Sequence, residues 1–196
     1  MTFWTTSEGT DLSKQAPKKD YEAPSGSMDP IPDGSTVLAF IKEAKWDNTK
    51  QDGSGARYIK VRWDVEQPES VARRVIFQKL FVKDHDPNAK DVEAAEKKRN
   101  NALKMLQTID ANARGKLMDH GQEPGDDMLA LALSNAIMQL HVKVWEMKGN
   151  DGKTMSGNWI AAIHPKGGKD LHVPEVAGGN SGGGGSSDLG DDEIPF

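Results

Sequence analysis

Arg57–Gln67 reads RYIKVRWDVEQ. Ile59, Val61, Trp63 and Val65 alternate with Tyr58, Lys60, Arg62 and Asp64. Successive side chains leave a strand on opposite sides, so a two-residue period of this length predicts a strand with one face in a core. The apolar set is expected inside. The other set, an aromatic followed by two cations, poses the functional question.

Upstream, Pro30, Pro32, Asp33 and Gly34 make a turn before residues 36–46 (TVLAFIKEAKW), which read as a long first strand. Val37, Leu38, Ala39, Phe40 and Ile41 are all apolar, which predicts a bulged strand packed on both sides. Residues 47–56 (DNTKQDGSGA) read as a flexible polar loop, longer than a hairpin needs. Beyond Pro68, residues 71–83 (VARRVIFQKLFVK) read as a third strand. Asp86 is expected to cap, and Pro87 to open, an amphipathic helix over residues 88–110. Val92, Ala95, Ala102, Leu106 and Ile109 share its apolar face. Residues 113–118 and 126–135 predict shorter helices. Residues 137–145 (IMQLHVKVW) and 156–164 (SGNWIAAIH) read as the last strands, around a hairpin turn at 148–153 (KGNDGK).

Three strands, helices, then two strands predict a mainly β protein. The expected form is a five-stranded OB-fold barrel with a helical insertion between strands 3 and 4. An SH3-like or split barrel is the competing arrangement. Residues 1–27 are polar, with Pro17 and Pro24, and predict a disordered N-terminal arm that Phe3 and Trp4 pin to the domain. Residues 28–173 form the expected OB-fold domain. A Gly/Ser-rich linker (174–187) and an acidic C-terminal tip (188–196) follow.

The formal charge of -5 divides unevenly. Residues 27–173 carry 22 basic and 21 acidic side chains, whereas residues 174–196 carry none and 5. A near-neutral body neither demands nor forbids a polyanionic partner. The chain has no cysteine, which excludes disulfides, iron–sulfur centres and thiolate zinc sites. No membrane-length apolar run or signal peptide is present, so a cytoplasmic location is expected. The five histidines lack metal-binding spacing, Ser134 and Ser156 have no nucleophile elbow, and Gly53 and Gly55 lack a following Lys-Ser/Thr. No catalytic residue, metal or cofactor is expected.

Rings can stack on unpaired bases while Lys and Arg offset backbone charge. The candidate nucleic-acid-binding residues are therefore Trp46, Tyr58, Lys60, Arg62, Arg73, Arg74, Lys79, Lys143 and Trp145. Trp63 and Trp159 are expected to be structural.

The last residues, Asp191, Asp192, Glu193, Ile194, Pro195 and Phe196, spell DDEIPF. This run resembles the C-terminal peptide of bacterial single-stranded DNA-binding proteins. The resemblance implies that Ile194, Pro195 and Phe196 hook into a partner's apolar pocket while Asp191, Asp192 and Glu193 steer toward its basic rim. Those bacterial proteins have no arm before their OB domain, and their strand sequences are not found here. Residues 31–166, with PIPDG, YIKVRWDV and LHVKVW in order, are similar instead to phage-encoded single-stranded DNA-binding proteins. The resemblance implies a non-enzymatic protein, in a bacterial host's cytoplasm, that coats single-stranded DNA and recruits replication, recombination or repair proteins. A monomer or dimer is favoured over a tetramer. The alternative is a recombination mediator or replisome adaptor acting mainly through protein contacts.

Overall fold

The computed structural model describes residues 30–149, 152 and 154–174. The expected arm with Phe3 and Trp4, nearly all of the linker, and the tip from Asp191 to Phe196 lie outside the described residues. So do Asn150, Asp151 and Lys153 of the last hairpin turn.

The strands are β1 (Ser35–Asn48), β2 (Arg57–Gln67), β3 (Val75–Leu80), β4 (Ile137–Lys148) and β5 (Thr154–Pro165). Between β3 and β4 come α1 (Val92–Asn112), α2 (Lys116–His120) and α3 (Asp126–Leu133). The strands form one antiparallel sheet in the order β3-β2-β1-β4-β5. Among the described residues no ladder joins β3 to β5, so the sheet stays open. Helix α1 packs against both of these edge strands.

The alternation of β2 places Ile59, Val61, Trp63 and Val65 in the core. A buried indole must find a hydrogen-bond acceptor. The Trp63 N–H donates to Gln78 Oε1 on β3 at 3.0 Å, and the Gln78 amide reaches the Met105 sulfur on α1. β1 pairs with β4 through residues 35–40 and with β2 through residues 38–48. Register shifts at Leu38/Ala39 and Ile41/Glu43 turn the strand, and Val37, Leu38, Ala39 and Ile41 are all buried. The expected bulged strand is present.

Side-chain amides complete the margins of the sheet. Asn158 accepts from the Ile31 N–H and donates to its carbonyl, both at 2.8 Å, fixing the entry to β1. Gln139 does the same for Lys169, at 2.7 Å each way. Buried Asp110 accepts from the N–H groups of Leu117 and Met118, satisfying donors that the first turn of α2 leaves open.

Three sequence expectations change. The third strand spans only Val75–Leu80, because Glu69–Val71 makes a 3-10 turn and Arg73 takes a left-handed φ of 68°. The expected cap at Asp86 instead closes a local turn through the Asn88 N–H, and the helix starts later. Asp91 caps it by accepting from Ala94 at 2.7 Å, which leaves Val92 exposed rather than on the apolar face. The loop read as flexible is internally bonded: the Asn48 amide donates to the carbonyls of Gly53 and Gly55, and Thr49 Oγ1 accepts from the Ala56 N–H.

Candidate nucleic-acid interface

The outward face of β2–β3 is set by register. Lys60 lies opposite Lys79, Arg62 opposite Phe77 and Asp64 opposite Val75. Phe77 is 58% exposed, with the Lys60 ammonium 5.4 Å from its ring centre. An open ring flanked by cations on a sheet is a surface on which a base can stack. Phe77 is absent from the sequence-derived candidates. Its outward position follows only once β3 is known to begin at Val75.

Tyr58 lies on this face but is largely covered. Its residue is only 6% exposed; Phe81 packs 5.3 Å away and the Lys79 ammonium sits 5.4 Å from the ring centre. Its ring braces the face rather than offering an open platform. Trp46 is partly buried. It packs against the core, donates its indole N–H to the Pro124 carbonyl at 2.7 Å, and carries the Arg57 guanidinium 4.6 Å from its centre.

Most of the face's cations already have partners. Arg62 bonds Asp64 at 2.9 Å, and Lys60 lies 3.6 Å from Asp47. Lys79 meets the Tyr58 ring. The Asn48 N–H, with Lys60 behind it, holds the Asp47 carboxyl below the usual carboxylate range. The aromatic and cationic face expected from the strand pattern is thus a mosaic of aromatic groups and ion pairs.

Arg73 and Arg74 sit at the far end of β2–β3, where the Arg73 N–H donates to the Val65 carbonyl and the Arg74 carbonyl accepts from the Val65 N–H. Lys143 and Trp145 lie on β4, separated in the sheet from β2 by β1. Lys143 lies 5.8 Å from the ring centre of Trp159, its opposite on β5. Trp145 covers Gly157, where an added Cβ would come within 2.7 Å of the indole. The candidates are therefore spread over β1, β2, β3, the turn before β3, and β4.

Burial, and then the charge of Asp47, pushes the Tyr58 phenol above its ordinary value. Its neutral form is favoured in the folded chain. The linked stability is therefore complete below the unfolded-state pKa, about 10, and is lost as pH rises through the folded value. Tyr21→Phe leaves Tyr58 as the one tyrosine. Near-ultraviolet titration of that variant should show ionisation at higher pH folded than in urea; coincident curves would contradict the burial.

Among the described residues no group of acidic or histidine side chains is placed to hold a metal ion, and no helix is long and apolar enough to cross a membrane. No family model matches the chain, and no curated protein is similar to it in sequence.

Proposed function

We propose that the chain is a non-enzymatic OB-fold protein that coats single-stranded DNA through the β2–β3 face. The observation that carries the reading is the open Phe77 ring, with Lys60 beside it and Arg62 across the ladder. The strand order, the shared β1 and a helix against both edge strands support an OB-type barrel, whose ligands lie on the face of strands 2 and 3. With Lys60 and Arg62 already paired to carboxylates, stacking supplies more of the affinity than charge does. Titrating the protein with fluorescent oligo-dT at 50 and 200 mM salt tests this. Saturable binding with a salt loss well short of the ~10³–10⁵ of strongly cationic sites is expected. Absence of binding at the lower salt overturns the reading.

Recruitment is assigned to the tip, from its likeness to the bacterial peptide. Removing Phe196 should lower the recovery of replication or repair proteins from host lysate while leaving oligo-dT binding intact. Equal recovery by both forms refutes that assignment. The same charge pairing favours a second reading, a protein-binding adaptor, because a balanced surface with an exposed Phe also suits a protein partner. Tip-dependent recovery without oligo-dT binding selects the adaptor.

A further inference from the structure

At the start of β2, next to Tyr58, two cations converge on one acid. Arg57 opens β2, Lys83 follows β3, and Glu123 comes from the α2–α3 connection. Glu123 Oε1 lies 3.4 Å from Arg57 Nη1, and its Oε2 lies 2.8 Å from Lys83 Nζ. Each carboxylate oxygen takes a cation from a different strand segment. The Arg57 backbone N–H is held by Asp84 at 2.7 Å, and its guanidinium stacks on Trp46. Trp46 is anchored in turn by its backbone N–H to Asp126 and its indole to Pro124. The cation is therefore placed before any ligand arrives. All three charged side chains remain 42–49% exposed.

We propose that Arg57 and Lys83 form a phosphate subsite for the backbone of a single strand, and that Glu123 occupies it in the free protein as an internal stand-in. The inference rests on the single-stranded DNA reading. A phosphodiester presents two non-bridging oxygens, and these two cations are already spanned by the two oxygens of one acid. Arg57 has the parity of Ile59 rather than of Lys60 and Arg62, so the subsite sits at the end of β2, beside the edge of that outward face. The other acids on the face take one cation each, from their own strand or its neighbour. Glu123 differs, since it reaches in from the helical segment and neutralises two. The Lys83 hydrogen bond, with the charges of Lys83 and Arg57 behind it, holds its carboxyl below the usual range, so it is ionised at neutral pH. Exposed ion pairs are weak, so a strand phosphate can displace it.

Glu123→Gln keeps the shape and removes the charge. Oligo-dT binding should tighten about 2- to 30-fold at low salt, the size implied by freeing two exposed ion pairs. The log–log salt slope should steepen by about 0.7, for one added phosphate contact to a single strand. Adding Lys83→Gln to that variant should remove much of the gain. In the wild-type background, Lys83→Gln should weaken binding and flatten the slope. If Glu123→Gln binds like wild type at both salts, or Lys83→Gln changes neither quantity, the subsite is refuted while the coating function stands. If wild type binds no oligo-dT, both fall. Replacing chloride by inorganic phosphate at constant ionic strength should leave Glu123→Gln binding largely unchanged; strong competition would mark a free-phosphate pocket and overturn the strand assignment. Circular dichroism melts should superpose for all these surface variants.

Discussion

Phe77→Ala is expected to weaken oligo-dT binding about 5- to 150-fold while leaving the melting curve unchanged. Stacking on one base is worth roughly 1–3 kcal/mol, and each ~1.4 kcal/mol is tenfold in affinity. The ring is 58% exposed, so its removal opens no core cavity. No charge is lost, so the affinity deficit should be the same at 50 and 200 mM salt, about parallel lines on a log–log plot. Phe77→Trp should retain binding, whereas Phe77→Leu, which keeps apolar area without a π face, should resemble Ala. Equal binding by Phe77→Leu and wild type would mean that contact area, not stacking, does the work. Unchanged binding by Phe77→Ala would remove the residue from the site. Tyr58→Ala gives no such clean reading, because that ring is buried against Phe81 and its loss disturbs the sheet as well.

The sequence made the scaffold legible where hydropathy and geometry share a period. Arg57–Gln67 is one such place, and β4, with Met138, Leu140 and Val142 inside, is another. β3 inverts the rule. Gln78 points inward to accept from Trp63, and Phe77 points outward, so polarity alone assigns both to the wrong side. The left-handed turn at Arg73 further hides where the alternation begins. Tyr58 has the right parity, but Phe81 beyond the end of β3 covers it, and that contact depends on tertiary folding. The Arg62–Asp64 pair was readable, since residues two apart on a strand share a face. The Lys60–Asp47 pair needed the β1–β2 register, and Glu123 needed the path of the helical segment.

The largest stability effect is expected at Trp63. Its side chain is fully buried, and truncating a buried Trp to Ala costs about 3–5 kcal/mol through lost transfer energy and the remaining cavity. A domain of this kind has only about 5–15 kcal/mol in total, so the variant should be partly unfolded or melt far below wild type. The location makes relaxation difficult. Trp63 pairs with Ile76 across the ladder, bonds Gln78, and through Gln78 reaches Met105 on α1. Collapse around the cavity would have to move a strand pair and a helix together. Trp63→Phe separates the packing from the polar link: it fills most of the space but leaves Gln78 Oε1 without its donor, a loss of about 1–3 kcal/mol. Adding Gln78→Leu should recover part of that loss, since removing both polar partners is cheaper than orphaning one. Urea unfolding followed by far-ultraviolet circular dichroism resolves the three variants. If Trp63→Ala unfolds at the wild-type midpoint, Arg57–Gln67 is not the core strand. The β2–β3 face would then lose the frame that presents Phe77.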